Sequence, residues 1–234
     1  MNREELLKNA KPILFNTEMV QAILEGRKTV TRRNPFKFEM KDGYNPDWSG
    51  YSLGEYYTGH IDSGVCLYSR GAHDVWGVRS NVVKPKYKVG EILYVRETFC
   101  ENRGKYYYLA DSKCGGKRGE LDCPTNIERH VTCELCEDYD AWIKWRPSLH
   151  MPKTAARIFL KVTDVRVEKL QNITDKEAEK EGVIVETNNS GVMHKIKFID
   201  LWNSTINPKD SEKYEWLNNP WVWVIEFERV EVEI

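Results

Sequence analysis

The chain has 234 residues, 41% hydrophobic and 12% aromatic, enough apolar material to fill a core rather than remain disordered. With 35 basic and 36 acidic side chains its formal net charge is -1, which excludes a global basic field for nucleic acid and confines any anion site to a local patch. No apolar run approaches the roughly 20 residues of a membrane span and Met1 to Pro12 has no apolar signal core, so no membrane association and a cytoplasmic location are expected, with the cysteines not mainly in disulfides.

Residues 1–11 read as a charged leader, either a helical turn or disordered, and Pro12 to Phe15 as a first short strand. Thr17 is the expected N-cap of a helix, with Glu18 in its first turn and Met19, Val20, Ile23 and Leu24 as a core stripe. Gly26 stands where that helix should stop, and a glycine there takes the left-handed cap conformation. The eight residues Gly26-Arg27-Lys28-Thr29-Val30-Thr31-Arg32-Arg33 then carry one lysine, two threonines and three arginines into a β-branched strand start. Such a helix-turn-strand corner suits an anion, a nucleotide or a polar carbonyl; the plainer reading is a basic, solvated strand end.

Residues 34–86 contain three prolines, many glycines and aromatics without clear period, among them Trp48, Tyr51, Tyr56, Tyr57, Tyr68 and Trp76. They predict an irregular insertion or a set of short strands, whose aromatics either stack on bases or fill a minor core. Ile92 to Phe99 alternates as a strand, and Tyr106 to Ala110 is a second, paired across a turn at 102–104. Residues 111–140 hold Cys114, Cys123, Cys133 and Cys136, with a C-x-x-C at the last two. A structural tetrahedral zinc on these four thiolates would organise a segment otherwise poor in apolar residues; the alternative is a reduced loop without metal.

Arg146-Pro147-Ser148-Leu149-His150-Met151-Pro152 is fixed and non-helical through its two prolines, and His150 either faces a site or is a structural, hydrogen-bonded histidine. Ala155 to Glu168 is a long strand with a bend or bulge expected at Asp164, after which Val165 and Val167 resume. Thr174-Asp175-Lys176-Glu177 is a capping box opening a short helix that ends with Glu181 and Gly182. A carboxyl there is placed either for acid–base work or simply at a frayed, exposed end. Lys195 to Ile206 is an amphipathic helix, and Trp221 to Val232 is the closing strand, apolar on both faces at its start. The whole is α+β, mainly β: one domain over 1–234, with five to seven mostly antiparallel strands and three short helices, which suggests a small closed barrel with two insertions, 34–86 and 111–140.

The opening helix running into the Gly26 to Arg33 corner, the Gly90-Glu91-Ile92-Leu93 turn, the Thr174 to Gly182 helix and the closing Val222 to Phe227 strand together resemble the ASCH domain family. The segments Tyr94-Val95-Arg96-Glu97-Thr98 and Arg146 to Pro152 are similar to those of its larger phage and prophage members. The resemblance implies a PUA-like barrel and binding of RNA or a modified nucleoside in a cleft, with Arg27, Thr29, Arg32, Arg33, Arg96, Glu97 and His150 as candidate ligand-binding residues. Some small bacterial members are amidohydrolases that remove acetyl from 4-acetylcytidine. Their lysine, the threonine three residues later and the glutamate of a later short helix match Lys28, Thr31 and Glu181; Arg33 matches an arginine two beyond the threonine. On that implication Thr31 attacks the amide carbonyl, a desolvated Lys28 takes the hydroxyl proton and Glu181 protonates the leaving amine. The chain is much longer than the hydrolase members, and its first insertion follows the motif directly.

Overall fold

A computed structural model describes residues 2–34, 56–61, 64–69, 73–74, 77–78, 81–102, 104–111, 145–185 and 194–232; for the strands between 56 and 83 it describes the backbone. In chain order the regular elements are α1 (Arg3–Asn9), β1 (Lys11–Leu14), α2 (Thr17–Leu24), β2 (Val30–Arg33), β3 (Tyr56–Ile61), β4 (Gly64–Ser69), β5 (His73–Asp74), β6 (Gly77–Val78) and β7 (Asn81–Val83). There follow β8 (Ile92–Arg96), β9 (Phe99–Asn102), β10 (Lys105–Tyr108), β11 (Phe159–Lys169), α3 (Asp175–Lys180), α4 (His194–Ser204), α5 (Ser211–Tyr214) and β12 (Trp221–Val230). The fold is mixed α and β, mainly strands, about a five-stranded sheet of order β1-β8-β11-β12-β2. Among the described residues this sheet is open, whereas a closed barrel was expected; strand number and brevity specify a barrel only if the end strands find each other. No helix among the described residues is long and apolar enough to cross a membrane.

The chain divides into two compact units. The first comprises 1–28, 91–161 and 229–234. Its leader is not a loose turn but the helix α1, because Asn2 caps it by accepting from Glu4 N (3.1 Å), Glu4 and Glu5 occupy the first turn and Lys8 the last. The Arg3 guanidinium donates to the carbonyls of Thr154 (2.6 Å) and Ala156 (3.2 Å), fixing the helix to the turn before β11. β1 pairs with β8 in parallel, Lys11 opposite Leu93 and Leu14 opposite Arg96, and β8 pairs antiparallel with the start of β11. The core is Leu6, Ala10, Tyr94, Phe99, Met151, Ala155, Ala156 and Phe159. The cap of α2 is Asn16, which accepts from Met19 N at 2.8 Å, so Thr17 is its first helical residue rather than its cap. A hairpin turns through Gly104, whose φ is 78°, as expected, but its first strand is β9, whereas most of the expected Ile92 to Phe99 strand is β8 of the main sheet.

The second unit comprises 29–90 and 162–228. β2 and β12 pair antiparallel, Val30 opposite Glu226 and Arg33 opposite Trp223. Part of the 34–86 stretch forms short strands: β3, β4 and β7 make an antiparallel sheet, and β5 pairs with β6. The capping box opens α3 as expected, Glu177 N donating to Thr174 Oγ1 (3.2 Å) and Thr174 N to Glu177 Oε2 (2.9 Å). α3 and α4 supply Ala178, Phe198 and Trp202 to a core with Val30, Leu170, Ile173, Val222 and Val224. β11 is continuous, but its burial alternation changes phase at Thr163–Asp164, with Leu160 and Val162 buried before it and Val165 and Val167 after it, in keeping with the bend or bulge expected at Asp164.

Candidate functional site

Lys28, Thr31, Arg32, Glu97 and Glu181 are the fully buried polar or charged side chains among the described residues, at 1 to 5% exposure. Burying such groups is costly unless they are paired or have a task, so each needs an account. All five are residues that the sequence marks out.

In the second unit, β2 alternates its faces. Val30 and Arg32 face the core under α4, with the Arg32 guanidinium 5.9 Å from the Phe198 ring centre; Thr31 and Arg33 take the opposite face. The start of β2 is tied to the end of α3, because Thr29 N donates to Lys180 O (3.0 Å) while Thr29 O accepts from Phe227 N (2.9 Å). Glu181 is the C-cap of α3, followed by Gly182 at φ 87°. This arrangement brings Arg32 Nη1 to Glu181 Oε1 at 3.2 Å, with Arg32 Nη2 3.4 Å from Glu177 and 3.6 Å from Glu168. Arg32 Nε and Nη2 make no hydrogen bond among the described residues.

Behind this pair lies Arg166, which bonds Asp164 (3.0 Å), Glu168 (2.5 Å), Glu177 (2.9 Å) and Glu226 (2.6 Å). Burial lowers its affinity for the proton, but its hydrogen bonds to Glu168, Glu226 and Asp164 outweigh that and hold the guanidinium above its ordinary value. Burial raises Glu177, yet the hydrogen bond from Thr174 N and the charges of Arg32 and Arg166 leave its carboxyl below the usual range. Burial pushes the half-buried Arg33 guanidinium down, against the pull of Tyr87 and Glu181. Tyr87 is itself buried.

In the first unit, Lys28 belongs to the turn before β2: its N–H donates to Ala22 O (3.0 Å) at the end of α2, and its ammonium lies 5.7 Å from the Phe15 ring centre. Gly26, at φ 75°, makes that turn possible. Glu97 is gripped by both arms of Arg157, Nε to Oε1 and Nη2 to Oε2, each at 2.9 Å. Burial pushes the Glu97 carboxyl up and the Arg157 bonds only partly offset this. Arg157 also pairs with Asp111 (2.5 Å) and lies 3.9 Å over the Tyr108 ring. Burial raises the Tyr108 hydroxyl to about 12, and it donates to Ala155 O at 2.6 Å.

Of the other candidates, Arg27 is half-buried and paired with Glu25 (2.5 Å), Thr29 is exposed, Arg96 is half-buried with its Nε unbonded among the described residues, and His150 is exposed. Cys114, Cys123, Cys133 and Cys136 lie outside the described residues. Among the described residues no group of three or more His, Cys, Asp or Glu is arranged to hold a metal ion. Cys100 is a free, buried thiol, pushed up by that burial.

The residues missed from the sequence are Arg157 and Arg166, the partners of Glu97 and Glu177. Asp164, Arg166 and Glu168 recur every second residue on β11, a period that marks an ion-pair row on one strand face. Arg157 leaves no such pattern, since its partners are 46 and 60 residues away. Compared with protein-family models, curated proteins and solved structures, the chain matches none of them.

Proposed function

We propose that the chain binds a modified nucleoside, free or as one unstacked residue of an RNA, through the PUA-like frame and corner that its resemblance to the ASCH family implies. The observation that carries this reading is the state of Arg32. Its guanidinium is fully buried and faces three carboxylates, so the central cation of the corner is spent inside the protein. Tracking a phosphate backbone needs solvent-facing cations that release counterions. A small ligand with an amide and a base edge instead suits a threonine hydroxyl, a glutamate carboxylate and a half-buried arginine, here Thr31, Glu181 and Arg33. Titration calorimetry with 4-acetylcytidine, cytidine and a single-stranded RNA oligomer tests this. Nucleoside binding that changes little between low and high salt supports the reading. Binding of the oligomer alone, with affinity falling steeply in salt, overturns it.

Hydrolysis of the acyl amide is the second reading. It is favoured by the burial of Lys28, Thr31 and Glu181, the three residues matching the amidohydrolase set. In that reaction the Thr31 hydroxyl oxygen bonds to the acetyl carbonyl carbon as its proton passes to Lys28. The C–N bond breaks as that proton is relayed from Lys28 through the Glu181 carboxylate to the amine, and water then adds to the threonine ester, returning a proton to Thr31 and releasing acetic acid. Cytidine appearing from 4-acetylcytidine, and absent with Lys28→Ala, is the expected sign of it.

A further inference from the structure

We propose that Arg32 is the positioning residue for Glu181, fixing the carboxylate that meets the nucleoside without touching the ligand itself; this rests on the nucleoside reading above. Glu168 and Glu177 each bond Arg166 and lie 3.6 and 3.4 Å from Arg32 Nη2, which makes no hydrogen bond among the described residues, while Asp164 and Glu226 bond Arg166. Glu181 is the carboxylate of this network that Arg32 reaches and Arg166 does not. The side chains of Arg32 and Glu181 are 0% and 3% exposed, so their attraction is little screened by water.

The Arg32 contacts, at 3.2 to 3.6 Å, are too long for a single two-armed fork to hold the guanidinium. It is held by the Nη1 bond to Glu181 and by the nearby charges of Glu177 and Glu168, both of which are fixed in turn by Arg166. The capping box anchors Glu177 to the start of α3, and Thr29 N on Lys180 O anchors the far end of the helix to β2. Arg32 Nη1 lies 3.2 Å from the Glu181 carboxylate, and the charge of Arg33 acts on the same group. Arg166 acts one step further out.

The test is calorimetric affinity for 4-acetylcytidine in wild-type protein, Arg32→Met, Arg32→Lys and Arg166→Met, with far-UV circular dichroism to establish folding. Arg32→Met is expected to weaken binding about tenfold or more, the size of a lost charged hydrogen bond. Arg32→Lys restores a point charge that reaches Glu181 but not all three carboxylates, and is expected within about threefold of wild type. Arg166→Met should lower the melting temperature and leave affinity within about threefold. A folded Arg32→Met protein binding like wild type, or an equal loss in Arg166→Met, overturns the proposal. If wild-type protein binds no 4-acetylcytidine, the nucleoside reading falls. The pairing is then read from melting temperatures of Arg32→Met, Glu181→Gln and the double variant: a double variant no less stable than Arg32→Met upholds the Arg32–Glu181 coupling, and additive losses refute it.

Discussion

Replacing Arg157 with Met removes one guanidinium and keeps an apolar stem against the Tyr108 ring. The Glu97 carboxylate, 1% exposed, then loses both of its 2.9 Å donors and stays where water does not reach. Stranding one half of a buried pair costs about 3–5 kcal/mol. The Asp111 contact adds under about 1 kcal/mol, because that carboxylate is 52% exposed and well screened. A total of about 3–6 kcal/mol would move a urea midpoint by about 1.5–3 M for a slope of about 2 kcal/mol/M. The loss also carries a pH signature. Burial raises Glu97 above its ordinary 4.5 and Arg157 lowers it, so the variant leaves burial unopposed. A carboxyl raised in the folded state favours folding at low pH and loses that contribution as pH rises through the folded value. The deficit of Arg157→Met should therefore shrink between pH 8 and pH 5, by up to about 1.4 kcal/mol per unit. Urea melts of both proteins at the two pH values decide it. A deficit below about 1 kcal/mol, or one that does not change with pH, refutes the account of Glu97 as a buried charge held by Arg157.

Thr174→Ala removes the cap of α3 and one support of Glu177, and is expected to cost about 1 kcal/mol by denaturant melts. Glu177 lies below its ordinary 4.5, so its contribution is present above that pH and lost as pH falls through the lower folded value; the Thr174→Ala deficit should narrow there. Gly26→Ala meets no atom within 4 Å of the added carbon, but its φ of 75° makes the backbone costly, about 1–2 kcal/mol, and Gly26→Asn should lose less. A zinc on Cys114, Cys123, Cys133 and Cys136 gives about one equivalent of metal in purified protein by mass spectrometry, lost in the Cys133→Ser, Cys136→Ser double variant; metal-free wild type grown with zinc removes that site.

Local chemistry made much of the fold legible. Thr174 and Glu177 announce a reciprocal cap and the helix appears there; Gly26 and Gly182 mark the two helix ends and both adopt positive φ. The stripe of α2 was equally plain, though Asn16 rather than Thr17 caps it, since either side chain can accept from the first turn. What depends on distant partners was not legible. The parallel pairing of Lys11–Leu14 with β8 needs strands some 80 residues apart, and no local pattern fixes such a register. The corner shows the same division. Its residue types pointed to a site, and Lys28, Thr31 and Arg32 are buried. That Arg32 turns inward to Glu181, and not outward to a ligand, follows from the alternation of β2 and from carboxylates brought in by β11 and α3.

The most direct measurement is incubation of purified wild-type protein with 4-acetylcytidine, following both bound nucleoside and released cytidine, with Glu181→Gln alongside. The account expects saturable binding in wild type that is largely unchanged by salt and strongly reduced in Glu181→Gln, with or without turnover. Wild-type protein that is folded yet neither binds nor converts the nucleoside, while holding single-stranded RNA with a steep salt dependence, would contradict it.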